Sequence, residues 1–274
     1  MEDNQELIKL RKEIFLTAYH GNSSAAHLAS AFSIIEVLYT LYCKGILNYK
    51  IEDPQWDERD RLILSKGHAS LALYSILSEV GYFDKRVLKS FCFPESILGG
   101  EPNMLDIPGV EATTGSLGHG LSYGVGIALG LKMNQCKAKV YVIIGDGECQ
   151  EGSIWEAVMS AYKHKLDNLT VIMDCNKLQK MDTVHNTMGI DEWQKKWEAF
   201  GWHTDIVNGH SITELQNCLQ KTQLQNIPRI IIADTVKGSG VSIMENNVLW
   251  HYKMPNKKQL KTFIYELGIL EEEL

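Results

Sequence analysis

Residues 139–176 read KVYVIIGDGECQEGSIWEAVMSAYKHKLDNLTVIMDCN, with an apolar run at either end, 139–144 and 169–174. Each run is short and rich in β-branched residues, as a strand is, and neither alternates with polar residues. Unbroken apolar character marks strands buried on both faces, and parallel strands of that kind need helical crossovers. The segment between them, opening near Gln150-Glu151-Gly152, is the crossover helix. Three further runs repeat the theme: RLILS at 61–65, residues 203–207, and RIIIAD at 229–234. The expectation is an α/β fold, a parallel sheet with helices on both faces. Outward from this centre, Leu7, Ile8, Leu10, Ile14, Phe15 and Ala18 give residues 5–19 one helical face to bury. Ser33 stands three residues before Glu36, the spacing of a capping box at the head of a helix over 33–43. Leu260, Phe263, Ile264 and Leu267 place a last packing helix in the tail from about 253. With no internal repeat, low-complexity segment or linker, residues 1–274 parse as a single domain.

Ligands of such sheets bind at the carboxyl ends of the strands, where glycines let the backbone approach phosphate. Two strand ends here present Asp146, within Gly145-Asp146-Gly147, and Asn176. A carboxylate and an amide oxygen are hard ligands suited to Mg²⁺ or Ca²⁺, cations that also bind diphosphate oxygens. Gly145 and Gly147 would let those phosphates reach main-chain N–H groups, with the following helix aiming its positive end at them. A lone G-D-G is ordinarily only a turn, so the weight falls on its pairing with Asn176.

Composition narrows the ligand. At 274 residues and 45% hydrophobic the chain can bury a sizeable core, while a formal charge of −7 leaves no basic stripe for nucleic acid. The charged start, MEDNQELIKLRKE, is no signal peptide and no apolar run reaches the roughly 18 residues of a membrane span, so a cytoplasmic protein with a small ligand is expected. Six cysteines without C-x-x-C spacing suggest neither zinc nor disulfides, and read as mostly buried small hydrophobes.

Gly145-Asp146-Gly147, then the 27 residues Glu148 to Asp174, then Cys175-Asn176, resembles the thiamine diphosphate motif, with Cys175 replacing the first Asn of its usual pair. The fuller string GDGECQEGSIWEAVMSAYKHKLDNLTVIMDCNKLQ is similar to transketolases, and the likeness runs from about Thr17 to Pro255. It implies a thiamine diphosphate-binding fold of the diphosphate-binding type, with metal ligands Asp146, Asn176 and the Leu178 carbonyl, and with Gly145 and Gly147 on the diphosphate. GNSSAAHLASAFSIIEVLYTLY places His27 on the substrate side of the thiazolium, and DRLILSKGHASLALYSIL places His68 near diphosphate and substrate. PGVEATTGSLGHGLSYGVGIALG sets Gly115, Leu117 and Gly118 around the cofactor, with His119 where the family has Gln. KGSGVSIMENNVLWH brings His251 to the diphosphate. Glu151 reads equally as an exposed acid at a helix start or as the family's interface glutamate near the cofactor. His20, His164, His185, His203 and His210 lack such context and read as surface residues, and Trp155 and Trp193 as packing residues.

The family's Gly-His-Pro, whose His binds donor hydroxyls, corresponds to Gly100-Glu101-Pro102. Unless the loop aligns differently, a carboxylate would accept sugar hydroxyls there and repel an anionic group. The resemblance also implies a pyrimidine-binding domain that this chain does not carry, hence a separately encoded C-terminal subunit in an α2β2 assembly and a large exposed apolar surface where it docks. The implied reaction moves a two-carbon ketol unit from a ketose to an aldose, sugars or sugar phosphates. Competing readings are a 1-deoxyxylulose-5-phosphate synthase-like or 2-oxoacid-decarboxylating enzyme, and a non-catalytic cofactor-binding scaffold.

Overall fold

The computed structural model describes residues 2–22, 26–189 and 191–274. The five predicted runs are its five strands: β1 (Arg61–Leu64), β2 (Val140–Gly145), β3 (Leu169–Cys175), β4 (His203–Asn208) and β5 (Arg229–Asp234). All neighbours pair in parallel in the order β1-β2-β3-β5-β4. The helices are α1 (Glu2–His20), α2 (Leu28–Phe32), α3 (Ile35–Cys43), α4 (Ser70–Val80), α5 (Gly120–Met133), α6 (Gly152–Lys163), α7 (Val184–Met188), α8 (Trp193–Ala199), α9 (Ile212–Leu219) and α10 (Lys257–Leu267). None of the helices in the described residues is long and apolar enough to cross a membrane.

Strand residues alternate between two cores. Leu62, Leu64, Tyr141, Ile143, Ile172 and Ile231 pack with α1, α3, α4, α9 and α10, whereas Ile63, Val140, Val142, Val171 and Ile230 pack with α5, α6 and α8. Phe263 and Leu267 of α10 are buried as the tail pattern predicts, and Trp155, Trp193 and Trp197 fill the second core. The one strand that departs is β4: only Val207 is buried and Ile206 is 57% exposed, because β4 lies at the sheet edge.

The capping box at Ser33 does not form. Helix α3 starts at Ile35 with Ile34 as an uncapped N-cap, and the Ser33 hydroxyl donates to the Ser30 carbonyl and to Asp174. Glu36 is buried against Arg11 at 2.5 Å. Two buried charges claimed partners from other elements, which local spacing cannot register. Of the six cysteines, Cys149, Cys175 and Cys218 are buried, but Cys43 is exposed and Cys92 and Cys136 are half-buried. Register is what matters for the site. Gly145 of β2 lies opposite Asp174, and Cys175 of β3 opposite Asp234, so the residues after β1, β2, β3 and β5 emerge along one edge.

Candidate active site

At that edge a cavity of about 380 Å³ gathers His27, His68, Glu101, Asp146, Asn176 and His251. Gly115, Leu117, Gly145, Gly147, Glu151 and Leu178 complete its wall, so the sequence-predicted residues converge although they span 27 to 251. A larger groove of about 810 Å³ along α1 holds none of them.

The three histidines form a cluster, with ring centroids 5.3 Å apart for His27–His68, 5.3 Å for His27–His251 and 5.7 Å for His68–His251. Burial first, then nearby lysines, hold all three in the neutral form: His27 falls to about 4, His251 to about 3, and His68 well below its ordinary value. Glu101 is solvent-exposed on one side and leans on Gly115, where a Cβ would run into its carboxylate. Gly115 sits at φ +148°, and this close approach requires glycine.

The oxygen-bearing groups lie across the cavity. Asp146 is buried and pushed up to about 7 by burial and by Asp174. Its Oδ1 accepts from Gly147 N–H at 2.8 Å and its Oδ2 from Lys177 N–H at 2.5 Å. Asn176 Oδ1 accepts from Leu178 N–H at 3.1 Å. The main-chain donors expected to meet phosphate are thus committed elsewhere. Glu148, buried and unanticipated, takes Gly118 N–H at 2.8 Å and Ser65 Oγ–H at 2.5 Å on Oε1, and Gly145 N–H at 3.1 Å on Oε2. Gly118 therefore braces the site from behind and does not line it. The crossover helix begins at Gly152, after a 3₁₀ turn over Gly147–Gln150, and Glu151 is its exposed N-cap with no side-chain capping bond.

Two lysines were also missed. Lys66 and Lys237 are each 2% exposed and both line the cavity. Lys66 pairs with the buried Asp174. Lys237 Nζ donates to the Leu178 carbonyl at 3.1 Å and to His251 Nδ1 at 3.0 Å, which puts the His251 proton on Nε2. Among the described residues no carboxylate pairs with Lys237, and burial together with Lys66 lowers its ammonium to about 8. The available signal was position: both lysines follow strand ends.

Of the other histidines, His164 and His185 are exposed, and His20 and His203 are half-buried. His210 is no surface residue: its Nε2 accepts from Val236 N–H at 2.8 Å and its Nδ1 lies 3.2 Å from Glu36. Exposed apolar side chains do occur beside the mouth, on Leu117 and along α5 and α6 at Tyr123, Met133 and Met159.

A strand edge that assembles buried oxygens, buried cations and neutral histidines is a site for an anionic cofactor. The sequence profile of the family described as "Transketolase, thiamine diphosphate binding domain" matches residues 18–270, so the class is a thiamine diphosphate-binding domain. One of the two components of an apulose-4-phosphate transketolase from Phocaeicola vulgatus is 37% identical over 97% of this chain and 94% of its own length. A 6-deoxy-6-sulfo-D-fructose transketolase subunit of a Clostridium species is 37% identical over 90% of each. The crystal structure of Campylobacter jejuni transketolase superposes with a TM-score of 0.88 at 29% identity; it covers 98% of this chain, which spans 43% of that longer one. The chain belongs to the transketolase family, whose members are transferases.

Proposed function

We propose that this chain is the diphosphate-binding subunit of a two-component enzyme that transfers a two-carbon ketol unit from a ketose donor to an aldose acceptor. The observation that carries the proposal is the meeting of Asp146, Asn176 and Leu178 with Lys66, Lys237 and the three histidines in one cavity. Relatives of matching length are named as subunits, which supports a separate partner, and the exposed strip at Leu117, Tyr123, Met133 and Met159 supports its docking beside the mouth.

The residues fit the cofactor. Among the described residues no three His, Cys, Asp or Glu side chains are grouped to hold a metal ion by themselves. One carboxylate, one amide oxygen and one carbonyl suit a Mg²⁺ or Ca²⁺ ion that draws its remaining ligands from water and diphosphate. Lys237, buried without a carboxylate, lacks the anion that a diphosphate would be. With the N–H groups of Gly145, Gly147 and Gly118 engaged, Lys66, Lys237 and His251 Nε2–H become the diphosphate donors.

Bound there, thiamine diphosphate supplies the nucleophilic carbon and the ring that takes up the electron pair released when the sugar C–C bond breaks. The chain's own share is positioning and proton handling. His27 and His68, held neutral, can each accept a proton from a substrate hydroxyl and return it. Glu101 accepts hydrogen bonds from donor hydroxyls and disfavours an anionic group beside it. Leu117 and Gly115 offer the uncharged wall.

The test is calorimetric titration of thiamine diphosphate with Mg²⁺ into this chain, alone and mixed with the product of the neighbouring gene. Metal-dependent binding that tightens in the mixture is expected. Failure to bind in both would remove the cofactor and the proposal.

A further inference from the structure

Asp174 is wholly buried on β3, opposite Gly145, and does not line the cavity. Its Oδ2 accepts from Ser33 Oγ–H at 2.7 Å and from Asn176 Nδ2–H at 2.8 Å, and receives the Lys66 ammonium; its Oδ1 accepts from Thr235 Oγ1–H. A carboxylate only accepts and a backbone N–H only donates. The Asn176 amide lies between one of each, Asp174 on its Nδ2 side and Leu178 N–H on its Oδ1 side. Reversing it would set the amide oxygen against a carboxylate and the NH₂ against an N–H, so both ends dictate the same orientation.

We infer that Asp174 is the positioning residue of the metal centre: it fixes the Asn176 amide so that an oxygen, never the NH₂, is offered beside Leu178, and it anchors Lys66 alongside. This rests on the metal-diphosphate reading above. Asp174 reaches the ion only through Asn176, and partners that orient a ligand typically govern metal affinity by about 10–100-fold. Four residues from four separate segments, Ser33, Lys66, Asn176 and Thr235, converge on its two oxygens, so the site's geometry is set from behind the wall.

The test compares two double variants of the full chain with its partner subunit, Lys66→Met with Asp174→Asn and Lys66→Met with Asp174→Leu. Both lose the same charges, and they differ in whether residue 174 can accept from Asn176 Nδ2. Free Mn²⁺ is followed by electron paramagnetic resonance in the presence of thiamine diphosphate, with circular dichroism as the check on folding. The Leu variant is expected to bind Mn²⁺ roughly 10–100-fold more weakly than the Asn variant. Equal affinity in two folded variants overturns the inference, whereas failure of the wild-type pair to bind Mn²⁺ overturns the metal reading instead. A measurement free of folding defects runs in parallel: the Asn176 side-chain NH₂, assigned by its loss in Asn176→Asp, should exchange slowly with solvent in the wild-type chain. Exchange as fast as that of an exposed amide refutes the orientation.

Discussion

Two glycines eight positions apart should respond in opposite directions to the same added methyl group. Gly118 adopts φ +86°, and a Cβ there would stand 2.5 Å from Ser153 Oγ and 2.7 Å from Glu151 Cβ. Left-handed backbone costs an L-residue about 1–2 kcal/mol, and overpacking a filled site adds about 1–3 kcal/mol. Gly118→Ala should therefore lose about 2–5 kcal/mol. At roughly 2–4 °C per kcal/mol for a domain of this size, Tm falls by at least about 4 °C. Gly126 lies on the exposed face of α5 with nothing within 4 Å of an added Cβ. Gly126→Ala should gain about 0.5–1 kcal/mol, because alanine surrenders less backbone entropy on entering a helix. Urea denaturation followed by circular dichroism at 222 nm measures both. Equal or same-signed changes would refute the account of the 115–119 turn as a segment fixed by contact with α6 and Glu148.

Other variants probe the surroundings. Arg11→Met leaves Glu36 buried beside His210 and should destabilise the chain by about 3–5 kcal/mol in the same assay; a loss below about 1 kcal/mol would mean that water reaches Glu36. Lys237, lowered to about 8, is mostly uncharged in the free chain at pH 8.5, and a diphosphate anion should raise it again. Binding at that pH should take up a proton, so affinity declines as pH rises above about 8. Calorimetry in buffers of differing ionisation enthalpy reads the uptake, and Lys237→Met should abolish it. Glu101→His should shift donor preference toward common ketose phosphates in a coupled turnover assay, and an unaltered preference would separate Glu101 from donor recognition.

The five strands, the terminal helices and the pairing of Asp146 with Asn176 were legible because each rests on local patterning: apolar runs, helical spacing, and a glycine turn at a strand end. His27, His68 and His251 were legible as candidates through segment resemblance, but their centroids coming within 5.7 Å of one another depends on parallel register bringing distant loops to one edge. Local spacing misled where a buried charge took a remote partner, as with Ser33 and Glu36, whose hydrogen bonds go to Asp174 and Arg11. Lys66, Glu148, Asp174 and Lys237 carry no pattern that separates them from surface residues. Their importance arises from burial, which makes every unpaired charge expensive and thereby forces specific partners. Sequence by itself determined which elements form and which chemistry their ends can carry; only the tertiary structure decided which polar groups lose water together, and desolvation is what turns them into a site.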